Sequence, residues 1–162
     1  MDLSRLRWSE YLGFVGALIL FGSLFLPWWS TSCSDLRPPT PSGCNTHSII
    51  SSKVGDLTAF ETYHTLQWLL IAACIAPFLL AYILARGHEL TWRPGEVTMI
   101  VGMLVMALIL MNGIILGRPG SGIDVSFAIG YLVGLIGGAG ITAGGLIRQA
   151  RYSGVRKPPG VF

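Results

Sequence analysis

The sequence predicts an all-α fold, an integral membrane four-helix bundle of up-down-up-down topology with both termini in the cytoplasm. Three observations lead to this prediction: four long uncharged apolar runs, two short connections between them, and an uneven distribution of basic residues. The 162 residues are 52% hydrophobic and 12% charged, which is typical of a membrane protein and excludes a disordered chain or an ordinary soluble domain. Residues 1–162 are therefore predicted to form a single four-span membrane domain.

Each apolar run is close to the roughly 20 residues that a helix needs to cross the hydrocarbon of a bilayer. None of the runs contains Asp, Glu, Lys or Arg. Because backbone groups inside lipid must find partners within the chain, each run is predicted to be helical. The predicted spans are residues 11–29, 62–85, 97–117 and 125–147.

The first span is bracketed by aromatic residues that favour the boundary between head groups and hydrocarbon. Trp8 and Tyr11 lie at its start, and Trp28 and Trp29 lie at its end. Pro27 is expected to stop the helix near the outer surface, because proline lacks a backbone donor and restricts the residue before it. The apolar stretch is longer than a signal-peptide core, so an uncleaved anchor is predicted.

The predicted outer loop, residues 30–61, contains Cys33 and Cys44. An oxidising compartment outside the membrane would allow these thiols to pair, and the Pro- and Gly-rich residues between them favour a turn. The interpretation we favour is a disulfide between Cys33 and Cys44. The alternatives are two unpaired thiols or a metal pair with His47, which is too few ligands for a closed zinc site.

The second and third spans contain two polar residues at membrane depth, Gln67 and Asn112. Each amide needs a partner there, so hydrogen bonds between helices are predicted, with a pore for a neutral solute as the alternative.

Upstream of the second span, Asp56 is predicted to be the N-cap of a helix that begins at Leu57.

The fourth span has a face of small residues. At about 100° per residue, its glycines fall within an arc of roughly 160°. Such a face allows close approach of a second helix, either the first span of the same chain, another copy, or a partner protein. The glycines are Gly130, Gly134, Gly137, Gly138, Gly140, Gly144 and Gly145.

The basic residues predict the orientation. Of the 11 Lys and Arg residues, eight lie in the termini or in the loop between the second and third spans, and three lie in the other two loops. The positive-inside rule then places both termini in the cytoplasm and residues 30–61 outside the cell. The lipid bilayer is the expected partner of these charges, because the chain has no module for nucleic-acid binding.

The functional prediction is a non-enzymatic membrane protein, a scaffold or accessory subunit of a larger membrane complex. It docks through the glycine face, to a partner or to itself, and presents the outer loop. The alternative is a homo-oligomeric channel or carrier for a small neutral solute. The sequence shows no convergent set of acid, base, nucleophile or metal ligands, so no catalytic residue, metal or cofactor is predicted.

Two resemblances accompany these patterns. The stretch Leu24-Phe25-Leu26-Pro27-Trp28, the segment 56–61 and the Gly-rich fourth span ending in Arg148 resemble small four-span proteins of actinobacteria and their relatives. This resemblance implies a four-span fold in a bacterial inner (plasma) membrane and no particular activity. Claudin-type tetraspans are similar in topology and in two outer cysteines after a tryptophan. Here, however, Trp29 is expected at the helix end, without the strand-forming residues that should precede it.

Overall fold

The computed structural model describes residues 8–32, 55–86, 95–115 and 124–151. These residues form five helices and three strands, with a π-helical turn, Met111–Ile115, that continues the fourth helix. In chain order the elements are α1 (Trp8–Ser23), β1 (Pro27–Ser32), β2 (Asp56–Thr58), α2 (Ala59–Thr62), α3 (Leu66–Ala85), α4 (Glu96–Leu110), β3 (Asp124–Phe127) and α5 (Ile129–Arg151).

Helix α5 lies at the centre of the helical packing. It runs antiparallel to α1 along one side and antiparallel to α4 along another, and α3 contacts both α1 and α4. The ring of Phe14 on α1 stacks on that of Phe78 on α3, with centroids 4.8 Å apart. The fold is therefore mostly helical, as the sequence predicts, and every long helix packs against two others.

Within the described residues, three helical stretches are long and apolar enough to cross a membrane: Leu66–Ile83, Glu96–Ile114 and Ile129–Arg151. They agree with the second, third and fourth predicted spans. Helix α1 has 16 residues and is shorter than these.

The prediction that the first span is one helix to residue 29 is wrong. After Ser23 the chain tightens into three-residue turns, in which the NH of Leu24 bonds to the carbonyl of Phe21 at 3.2 Å and the NH of Leu26 to that of Ser23 at 3.1 Å. Pro27 then opens β1, since it has no NH for a helical bond and disfavours helical backbone in the residue before it.

The all-α prediction is incomplete, because β1 forms the centre of a three-stranded antiparallel sheet in the order β2-β1-β3. Trp29 faces Leu57 of β2 and Phe127 of β3, and the β1–β2 register shifts between Pro27 and Trp29. The expectation that Trp29 lies at a helix end without strand residues is therefore wrong. Likewise, residues 125–127 belong to β3, so the predicted fourth span starts as a strand and its helix begins at Ile129.

The start of the second helical region also differs from the prediction. Asp56 lies in β2, and Thr58 is the N-cap of α2. The Thr58 NH donates to Oε2 of Glu61 at 3.1 Å, and its hydroxyl donates to the same oxygen at 3.2 Å. A threonine N-cap followed three residues later by glutamate forms a capping box, which gives the free NH groups of the first helical turn their hydrogen-bond partners. Asp56, two residues before Thr58, does not have this pairing.

Candidate functional site

The glycine face of α5 contacts α1 along most of the length of α1. A Cβ atom added to Gly137 would lie 2.6 Å from the backbone nitrogen of Leu20, and one added to Gly140 would lie 3.0 Å from the Cα of Gly16. At the far end of α1, a Cβ on Gly144 would lie 2.8 Å from the carbonyl oxygen of Ser9. These distances leave no space for a side chain, so the two backbones are in direct contact.

A second row of α5 glycines faces α4. A Cβ on Gly138 would meet Val105 at 3.0 Å, and one on Gly145 would collide with the backbone of Met99. Gly130 and Gly134 contact Trp28 instead, which lies beyond the end of α1. All seven glycines that the sequence singles out are thus covered by other parts of the same chain.

The sheet meets the helices in an aromatic cluster. Trp28 and Trp29 are fully buried, and both rings lie 5.8 Å from that of Tyr131 on α5. The Trp28 indole NH donates to the carbonyl of Ser23 at 2.7 Å, and the Tyr131 hydroxyl donates to the carbonyl of Ile109 at 3.1 Å. The cluster therefore holds the sheet against α1, α4 and α5 through both packing and hydrogen bonds.

Asn112 lies in the π-helical turn, and its amide donates to the carbonyl of Leu108 on its own helix at 2.8 Å. Its backbone carbonyl accepts from the Tyr63 hydroxyl at 3.3 Å. The side chain of Asn112 is thus engaged within its own helix.

Gln67 lies on α3 with 7% of its surface exposed, and its Oε1 has no hydrogen-bond partner among the described residues. Among the described residues, no hydrogen bond joins Gln67 to Asn112.

An ion pair between helices is the site that the sequence analysis missed. Arg148 in the last turn of α5 pairs with Glu10 in the first turn of α1, and their side chains are only 13% and 8% exposed. They line a crevice of about 20 Å³ together with Ser9 and Thr98, just large enough for one water molecule. Glu10 and Arg148 each lie immediately outside one of the uncharged apolar runs, so the sequence did not mark either residue as a charge within the membrane. The sequence did contain a signal for this pair: a carboxylate at the start of the first predicted helix and a guanidinium at the end of the fourth, which would run antiparallel to it.

Cys33 and Cys44 lie outside the described residues, and so does His47. Within the described ranges, no group of three or more His, Cys, Asp and Glu side chains is placed to hold a metal ion. Comparisons of the chain with protein-family models, curated proteins and solved structures found no match.

Proposed function

We propose that this protein is a non-enzymatic integral membrane protein that acts as a scaffold or accessory subunit of a larger complex in the plasma membrane. In this proposal α1, α3, α4 and α5 each cross the bilayer, both termini are cytoplasmic, and residues 30–61 lie outside. The exposed side chains on these helices are large and apolar, such as Leu79 and Ile136, which suits contact with lipid or with other membrane helices.

The contact between α1 and α5 supports a membrane crossing by the first segment. The segment from Glu10 to Trp28 packs along α5 from Arg148 back to Gly130. At 1.5 Å per residue this length of α5 spans about 27 Å. That length is close to the roughly 30 Å thickness of bilayer hydrocarbon.

The observation that carries the proposal is that the strands on either side of residues 33–54 pair with each other in the sheet. Strands β1 and β2 pair antiparallel, with Ser30 opposite Asp56, so the segment between them leaves and re-enters the fold at neighbouring points. The sheet is fixed on the helices by the aromatic cluster around Trp28 and Tyr131. A rigid base that pins both ends of an outer segment suits presentation of that segment to a partner.

The packing of α5 bears on how a partner would dock. Its glycines are covered by α1 and α4, so a partner or a second copy would contact the opposite side of α5, where Leu132 and Ile136 are exposed. The direct backbone contact at Gly137 and Gly140 leaves no room for a solute between α1 and α5. A solute path would therefore have to lie elsewhere than between α1 and α5.

The test is extraction of the chain from its native membrane in mild detergent, followed by the mass and composition of the particle that carries it. We expect a heteromeric particle. A matched variant replaces residues 33–54 by a Gly-Ser linker of equal length, and we expect it to be extracted equally well but without the partner. A homogeneous oligomer of this chain alone would refute the accessory-subunit proposal in favour of the channel.

A further inference from the structure

We propose that the surface between α1 and α3 is a binding site for an anionic phospholipid of the inner leaflet. One acyl chain occupies a groove between the helices, and the head group pairs with Arg86. This inference rests on the membrane placement proposed above and concerns a part of the molecule, the α1–α3 surface, that the sheet and the outer loop do not involve.

The groove has a volume of about 300 Å³ and is lined entirely by apolar atoms. Ala17 of α1 and Cys74 of α3 form its buried floor, while Leu18 and Ile75 form walls that are 61% and 56% exposed. A volume at the lower end of the range for small-ligand sites, without any polar lining, suits a hydrocarbon chain and no polar ligand.

The groove continues toward the end of α3 along a single stripe. Ile75, Phe78, Tyr82 and Arg86 are spaced three or four residues apart and therefore lie on one face of the helix. The NH of Arg86 bonds to the carbonyl of Tyr82 at 3.1 Å, which extends the helical turn as far as the arginine. Exposed side chains of this stripe thus lead from the groove to a positive charge.

Arg86 is exposed, and its guanidinium carbon lies 5.1 Å above the centre of the Tyr82 ring. No carboxylate of the described residues forms an ion pair with it. A cation in this position, next to an interfacial aromatic ring at the end of an apolar helix, is available to a phosphate group, and basic sites between membrane helices bind anionic head groups.

The distances fit one leaflet. Arg86 follows Cys74 by 12 residues, which corresponds to about 18 Å along the helix. Half of the bilayer hydrocarbon is about 15 Å thick. A lipid with its phosphate at Arg86 therefore places the end of its acyl chain in the groove, near the bilayer midplane. The same reasoning favours a lipid over a free anion, which would leave the groove unfilled.

The experiment is native mass spectrometry of the delipidated full chain in detergent, titrated with phosphatidylglycerol or with phosphatidylcholine of the same acyl chains. We expect tighter binding of phosphatidylglycerol, and Arg86→Gln should weaken it about fivefold with little effect on phosphatidylcholine. The matched control is Arg151→Gln, which removes an exposed arginine at the same end of the helices but away from the groove. Cys74→Leu, which adds volume at the groove floor, should weaken both lipids.

Equal affinity for the two lipids, or equal losses in Arg86→Gln and Arg151→Gln, would overturn the lipid site. Unchanged lipid binding by a Cys74→Leu variant that melts like the original protein would remove the groove from the proposal. The membrane placement fails separately, if the chain is released from membranes by carbonate washing without detergent.

Discussion

Alanine at Gly137 tests whether the contact between α1 and α5 determines the stability of the helical packing. The added Cβ would lie 2.6 Å from the nitrogen of Leu20 and 2.8 Å from its Cα, both of which are backbone atoms that no rotamer change can move. Relief to an ordinary 3.4 Å contact requires the helices to separate by about 0.8 Å, which forfeits about a quarter to a half of the dispersion attraction between the facing atoms.

The magnitude follows from two opposed effects. Replacing glycine by alanine inside a helix favours folding by about 1 kcal/mol, while overpacking of a close contact costs about 1–3 kcal/mol. Since the separation also loosens the neighbouring Gly140–Gly16 and Gly144–Gly13 contacts, we expect the cost to dominate. With the overpacking cost at the upper end of its range, about 3 kcal/mol, the net destabilisation should be about 2 kcal/mol, which lowers Tm by about 4–8 °C for a chain of this size.

The assay is thermal melting in mild detergent, followed by tryptophan fluorescence and by the monodisperse fraction on size exclusion. Gly22→Ala is the matched control, because Gly22 lies on α1 and a Cβ there would meet nothing within 4 Å. We expect Gly22→Ala to melt at the original temperature or slightly above it. If Gly137→Ala melts no lower than Gly22→Ala, the α1–α5 contact does not limit stability and the reasoning fails.

Three further predictions concern other parts of the chain. Glu10→Gln should destabilise the protein by about 3 kcal/mol, because it removes the carboxylate that pairs with the mostly buried Arg148. The double variant Glu10→Leu/Arg148→Leu should recover most of this loss. Equal melting temperatures of the original protein and both variants would show that the ion pair contributes nothing to stability. Trp28→Phe should cost about 1–3 kcal/mol in detergent unfolding through loss of the bond to the Ser23 carbonyl, and an unchanged midpoint would mean that water replaces the indole. Cys33 and Cys44 should resist alkylation until a reductant is added, and labelling of both without reductant would refute the disulfide.

The long helices could be predicted because their signal is local. Residues 66–85, 96–110 and 129–151 lie almost entirely within apolar runs, and such runs in lipid have no alternative to helix. The end of the first run could not be assigned in the same way. Trp28 and Trp29 are as typical of the membrane interface as of a strand, and six residues are too few to show a period of two next to an apolar run.

The contacts of the site depend on topology rather than on local pattern. The sequence shows that one side of α5 is bare of side chains, but it does not show that α1 and α4 divide that side between them. Glu10 and Arg148 are nearly the whole chain apart, and only the antiparallel packing of α1 and α5 brings them together. The charges of Glu10 and Arg148 can be read from the sequence, but their pairing depends on the order and direction of the helices.

The sheet also bears on the order in which the chain can be assembled during synthesis. Its central strand, β1, is made early, but its pairing with β3 must wait for residues 124–127, which follow α4. Until then one edge of β1 keeps unpaired backbone groups, and Trp29 lacks the Phe127 ring that lies 5.0 Å from it in the finished fold. A chain that stops after α4 therefore has an open strand edge that β3 covers in the complete fold.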